Sequence, residues 1–169
     1  MLFFLNGFMG CGKSHWGRIW AAENHLPFID LDEAIEQQEL KPVSQLIETK
    51  GEPYFREVEA EKLRSLASLG NAIISCGGGT PCFHDNMRWM NAHGMTVYIS
   101  SPPADLLRRL VNGQQQRPLI SKFNRAELLF FIEKKLEERE PFYNYAQLVL
   151  PASELSNETF ALSIRPVSS

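Results

Sequence analysis

Residues Gly7–Ser14 read G-F-M-G-C-G-K-S, which fits the phosphate-loop pattern G-x-x-x-x-G-K-[ST] at every required position. The pattern constrains the local fold strongly, because it works only between a buried strand and the first turn of a helix. Both flanks are present. Met1-Leu2-Phe3-Phe4-Leu5 is a short apolar run suited to a buried parallel strand. Trp16, Ile19 and Trp20 then recur at i, i+3 and i+4, as on the apolar stripe of a helix. Lacking Cβ atoms at its glycines, the loop can wrap an anion toward which its N–H groups and the helix N-terminus point. Gly10, Cys11, Gly12, Lys13, Ser14 and His15 are therefore nucleotide-phosphate candidates. In this pattern Lys13 reaches the β- and γ-phosphates and the Ser14 hydroxyl ligates Mg²⁺. A glycine-rich turn that binds nothing is the alternative, and the flanks speak against it.

The rest of the chain alternates strand and helix. Strands are expected at Leu2–Leu5, Phe28–Ile29, Ala72–Cys76, Thr96–Ile99 and Leu148–Leu150. Helices are expected over Lys13–Asn24, Glu33–Glu39, Val43–Thr49, Glu52–Leu69, His84–His93 and Ala104–Val111. Another starts from a capping box of Asn124 with Glu127 and stops before Pro141, and a last short one spans Asn157–Ile164. This alternation over 169 residues predicts one α/β domain, a three-layer sandwich around a five-stranded parallel sheet. Ligands in such sheets sit at the C-terminal strand ends, where the polar residues of this chain gather. A net charge of −3 gives no basic field for nucleic acid, and the five-residue apolar run at the start is too short for a signal peptide or a membrane span. Three cysteines with no C-x-x-C suit a reduced cytoplasmic protein, and the four histidines show no zinc spacing.

Several residues at the strand ends could carry chemistry. Asp30 and Asp32 stand two apart at the end of the second strand, which would put both carboxylates on one face. Asp30 could then hold the metal, and Asp32 could accept a hydrogen bond or the proton of an attacking hydroxyl. Helix capping by Asp30 with Glu33 is the competing reading. Arg56, flanked by Glu52 and Glu59, reads either as a solvated ion pair on a helix face or as a clamp for a substrate carboxylate. Ser75-Cys76-Gly77-Gly78-Gly79 is either a plain turn or a place where a small ligand touches backbone, and it lacks the aspartate of a Walker B strand. The polar stretch Asn112–Leu119 looks like a structureless, mobile flap or a tolerated surface loop. Its Arg117 could close onto a transferring phosphoryl group. Arg139 could equally complement a helix C-terminus. Oxidation of Cys11, placed in the phosphate loop, could block nucleotide binding.

Taken together these motifs resemble the shikimate kinase family, from about Leu5 to Ala146. The resemblance rests on the phosphate loop followed by Gly17, F-I-D-L-D-E-A-I-E at Phe28–Glu36 and G-E-x-x-F-R-x-x-E at Gly51–Glu59. It also rests on I-I-S-C-G-G-G at Ile73–Gly79, R-P-L at Arg117–Leu119 and R-E-P-F-Y-x-x-A at Arg139–Ala146. It implies an ATP-dependent kinase acting on the 3-hydroxyl of shikimate, with Mg²⁺ around Ser14 and Asp30. The implied substrate region spans about residues 32–60 and the lid about 112–123. Asp32, Arg56, Gly77, Gly78, Gly79 and Arg139 match substrate-binding positions, with Glu59 orienting Arg56. Lys13, Asp32 and Arg117 match the catalytic positions, and Arg109 a residue beside the adenine. The partners implied are ATP or ADP and shikimate, with no nucleic acid and no membrane, and the state implied is a monomer. His15 departs from the threonine or serine usual after Ser14. A kinase of another small hydroxy acid, such as gluconate, and a silent nucleotide-binding module are the rival readings.

Overall fold

A computed structural model describes residues 1–163. Five strands form one sheet in the order β2-β3-β1-β4-β5, every neighbouring pair parallel. They are β1 Leu2–Asn6, β2 Phe28–Asp30, β3 Ala72–Ser75, β4 Gly94–Ser100 and β5 Leu148–Pro151. Because successive side chains on a strand point to opposite faces, β1 feeds two cores at once. Phe3 and Leu5 pack on one face with Trp20, Leu106, Leu110, Leu128 and Ile132. Leu2 and Phe4 pack on the other with Ile35, Leu46, Phe55, Leu63 and Met87. Helices α1 Lys13–Glu23, α6 Pro103–Gly113, α7 Arg125–Tyr143 and α8 Thr159–Ser163 contribute to the first core. Helices α2 Leu31–Glu39, α3 Val43–Lys50, α4 Glu52–Ser65 and α5 Asn86–His93 contribute to the second. The sandwich expected from the alternation is the fold.

The differences from expectation have local causes. Asp30 ends β2 and caps α2, its Oδ1 accepting from the N–H groups of Asp32 and Glu33. The helix therefore starts at Leu31, and Asp32 lies in its first turn rather than on the strand. The helix from Glu52 stops at Ser65 and continues as a 3₁₀ turn, Leu66–Leu69. Pro141 does not end α7, which runs on to Tyr143. So near the end of a helix a proline removes one backbone bond, and the Asn144 N–H closes the terminus on Glu140 O. The Asn124–Glu127 capping box forms in both directions. The chain after Pro151 is also anchored. Phe160 is fully buried between Phe3 and Trp20, and Trp20 Nε1 donates to Ser156 O at 2.9 Å. The expected last helix is found at Thr159–Ser163, and Ile164 lies outside the described residues.

The 112–123 segment is not structureless. Helix α6 reaches Gly113, a 3₁₀ turn follows at Gln114–Gln116, and Ile120 is fully buried. The Gln114 amide donates to Ile120 O at 2.7 Å and to Phe123 O, which ties both ends of the segment together. Gln114, one of three consecutive glutamines in a polar stretch, is here the loop's internal tie.

Candidate active site

The phosphate loop leaves β1 and enters α1 through Gly10 and Gly12, whose φ values of 81° and 103° favour glycine. No side chain caps α1, so its first amides stay free to face an anion in the loop. Lys13 is buried, and its ammonium donates to Gly7 O at 2.7 Å and Phe8 O at 3.1 Å. The Cys11 thiol is the exception in this loop. It is fully buried, with Sγ packed in the apolar core and 3.9 Å from the Lys13 ammonium, so an oxidant reaches it only if the loop opens.

Ser14, at the helix start, donates to Asp30 Oδ2 at 2.6 Å and lies 3.1 Å from Ser75 Oγ. Asp30 thus does both things the sequence left open: one carboxylate oxygen caps α2 and the other faces Ser14. The Ser14, Asp30 and Ser75 oxygens form a small set of hard donors beside the loop, the kind that suits Mg²⁺ when phosphates and water complete its shell. No cluster of three or more histidine, cysteine or acidic residues built to hold a metal alone occurs among the described residues.

A cleft of about 540 Å³ opens over these groups. Its walls include Gly10, Gly12, Lys13, Ser14 and His15 from the loop side, and Asp30, Asp32, Ser75, Gly77 and Gly78 from the strand tips. Arg109 and the exposed Arg117 close the third side. Arg109 donates to Cys11 O at 3.0 Å, so it rests on the loop. Gly79, Arg56 and Arg139 do not line this cleft, and Arg56 instead faces a separate opening with Glu52, Phe83 and His84.

The glycine run explains how those side chains gather. Each of the three glycines makes room for charged side chains, Gly77 for both Asp32 and Glu59. A Cβ on Gly77 would stand 3.1 Å from Asp32 Oδ1, one on Gly78 would stand 3.0 Å from Arg139 Nη1, and one on Gly79 would stand 2.5 Å from Arg56 Nη2. Three side chains from α2, α7 and α4 therefore converge on one turn after β3. Burial, then the charges of Glu59 and Asp30, push the Asp32 carboxyl up to about 6, against the opposing pull of Lys13. Asp32 Oδ1 and Arg139 Nη1 are both buried without a hydrogen-bond partner. Buried polar atoms left open in this way, on a carboxylate and a guanidinium facing one turn, mark a place for a polar ligand.

Arg56 is not a solvated pair. It is buried, its Nη1 donates to Glu59 Oε1 at 2.8 Å, and Glu59 is fully buried. Glu52, half exposed, accepts from Nε and Nη2 at 3.3 Å. The Phe83 ring lies 4.2 Å from the guanidinium. Thr80 and Phe83 are contacts the sequence did not assign, and the resemblance placed Ser75 only at the end of the metal strand, without its partner Ser14. All three meet their partners across 21 to 61 residues, and no local pattern announces that.

A phosphate loop on a five-stranded parallel sheet, with hard oxygen donors, lysine and arginines around one cleft, defines a P-loop phosphotransferase. A model of the family described as shikimate kinase matches residues 9–167. The chain belongs to the shikimate kinase family. It is similar to a shikimate kinase from Bacteroides thetaiotaomicron, 45% identical over 154 residues that cover 91% of this chain and 88% of the relative. A crystal structure of shikimate kinase from Bacteroides thetaiotaomicron is 44% identical, with a TM-score of 0.89 over 92% of this chain and 89% of that one. Shikimate kinase from Acinetobacter baumannii in complex with shikimate is 27% identical, with a TM-score of 0.83 over 96% of this chain and 89% of that one.

Proposed function

We infer that the enzyme transfers the γ-phosphoryl group of ATP to the 3-hydroxyl of shikimate, giving shikimate 3-phosphate and ADP. Family membership gives the reaction. The observation that carries the assignment of residues is the convergence of Asp32, Arg139 and Arg56 on Gly77-Gly78-Gly79, next to the phosphate loop. That arrangement suits an acceptor with a carboxylate at one end and hydroxyls at the other. Residues 1–169 work as a single kinase domain, with the acceptor region at about 32–60 and a lid at about 112–123.

Phosphoryl transfer needs positioning and charge neutralisation more than covalent help. The main-chain amides of Gly10, Cys11 and Gly12, together with Lys13, Ser14 and His15, receive the triphosphate. Lys13 exchanges its carbonyl partners for phosphate oxygens. Arg109 lies against the adenine side and Arg117 moves onto the γ-phosphoryl group from the lid. Ser14 and Asp30 would hold Mg²⁺, which would supply charge neutralisation at the phosphates when bound. Arg56 and Arg139 take the shikimate carboxylate, each with a planar fork suited to two carboxylate oxygens. Asp32 accepts the hydrogen bond of the 3-hydroxyl. The hydroxyl oxygen forms the new bond to phosphorus, the bridging oxygen leaves with ADP, and the proton passes to Asp32. Burial makes Asp32 a stronger base than an ordinary carboxylate, close to neutral pH where transfer is most efficient.

Three unpaired thiols suit a reducing cytoplasm, and no described helix is long and apolar enough to cross a membrane. The enzyme works as a monomer without nucleic acid. A coupled ADP-release assay with MgATP and either shikimate or gluconate tests the reading. Turnover with shikimate but not gluconate supports it, and preference for gluconate overturns it. ATP binding without turnover of either acceptor would point to a silent nucleotide-binding module.

A further inference from the structure

We infer that Thr80 is a positioning residue for the acceptor site, holding Arg56 in register through Glu59. The inference rests on the reading of Arg56 as a carboxylate clamp. Glu59 is a fully buried carboxylate whose two oxygens have one side-chain donor each. Oε1 accepts from Arg56 Nη1 at 2.8 Å, and Oε2 accepts from Thr80 Oγ1 at 2.7 Å. A buried carboxylate with only one oxygen satisfied would turn or shift to find a second donor. Thr80 removes that freedom, and the Glu59 oxygen that faces Arg56 stays aimed at it.

Thr80 can do this because it is itself immobilised. It is fully buried, and its carbonyl accepts from Asn86 Nδ2 at 2.9 Å. Asn86 is fully buried too, and its Oδ1 accepts from Arg64 Nη1 at 2.8 Å. Arg64 Nη2 donates to His84 O at 2.8 Å. One chain of bonds therefore runs from Arg64 through Asn86, Thr80 and Glu59 to Arg56, leaving α4 and returning to it. Between Thr80 and Asn86, His84 and Asp85 hold φ values of 48° and 56°, the left-handed conformation that histidine and aspartate adopt more readily than most residues, and it turns the chain back toward α5. The same loop presents Phe83 to the Arg56 guanidinium. Arg56 is thus held by Glu59, by the half-exposed Glu52 and by the Phe83 ring, and Thr80 fixes the buried one of the two carboxylates.

Thr80→Val keeps the shape and removes the donor, and Thr80→Ser keeps the donor. A bond to a buried charge carries enough free energy that its loss, passed on to Arg56, raises the shikimate KM about tenfold. The ATP KM and kcat stay within about twofold, and Thr80→Ser restores the wild-type value. An unchanged shikimate KM in Thr80→Val overturns the inference whatever the melting temperature does, because a merely structural threonine would move stability alone. Loss of the same size in Thr80→Ser overturns it as well. Thr80→Ala gives the same reading should the valine variant fail to fold. Absence of shikimate turnover in the wild type is a separate result, and it sinks the acceptor assignment rather than the Thr80 inference.

Discussion

Gly79 has no room for a methyl group because the Arg56 guanidinium occupies it. A Cβ there would lie 2.5 Å from Nη2 and 3.0 Å from Cζ. The backbone at Gly79 is ordinary, with φ −95°, so glycine is needed for space and not for conformation. In Gly79→Ala the guanidinium, held by Glu59 and Phe83, has to move. The shikimate KM should rise at least about tenfold while the ATP KM changes less than about twofold, since overpacking a fixed group displaces it. Gly70 is the control. Its φ of 74° favours glycine, yet nothing lies within 4 Å of its Cβ position, so Gly70→Ala should lower stability by about 1 kcal/mol and leave both KM values alone. Steady-state kinetics with melting curves on the two variants check both halves.

The two arginines assigned to the acceptor carboxylate differ in what they do for the fold. Arg56 neutralises a fully buried acid, whereas Arg139 Nη1 has no partner. Arg56→Ala should therefore lose about 3–5 kcal/mol of stability together with activity, because it strands Glu59. Arg139→Ala should lower kcat/KM for shikimate about ten- to hundredfold with little change in melting temperature. Chemical denaturation beside kinetics separates the two. A large loss of stability in Arg139→Ala would contradict its assignment as an idle cation waiting for a ligand.

Much of this was legible in the sequence, and the limits are physical. The phosphate loop, the apolar run of β1 and the capping box at Asn124 are local patterns, and all three stand as read. The boundaries that moved depend on single residues with two possible roles. Asp30 starts a helix instead of extending a strand, and Pro141 is tolerated in a last turn. Arg56 was ambiguous because i,i+3 and i,i+4 charges mark both solvated and buried helix faces. Only the tertiary packing that buries Glu59 decides between them. The packing of charged side chains onto the three glycines was out of reach, since it joins the turn after β3 to three separate helices.

Thiol chemistry gives a direct check on the loop. Cys11 and Cys76 are buried, while Cys82 is half-buried, with its pKa raised by burial against the lowering influence of Arg139 and Arg56. Native alkylation should thus add a single label, at Cys82, slowly at neutral pH, because the thiolate is the reactive form. The ATP KM should be unchanged, and mass spectrometry of the labelled peptide identifies the site. Rapid labelling of Cys11 under native conditions would mean that the phosphate loop opens far more readily than its packing indicates.

Asp32 couples stability to activity through one proton. In the unfolded chain it titrates near 3.8, and in the folded chain near 6. Between those values the native state keeps a proton that the unfolded state has released, so stability falls as pH rises from about 4 to about 6. The full penalty, about 3 kcal/mol, is present above that range. Asp32→Asn removes it, so the variant should melt higher than wild type at pH 7 and close to wild type near pH 4. Function runs the other way. The ionised carboxylate is the form that accepts the hydroxyl proton, so wild-type kcat/KM should fall with one proton as pH drops through about 6. Asp32→Asn should lose about 10²–10⁴-fold in kcat and show no such limb. A variant that gains stability at pH 7 while losing turnover would identify Asp32 as a charge the fold tolerates for its chemistry. A variant destabilised at pH 7 would mean that the carboxylate holds a structural partner instead.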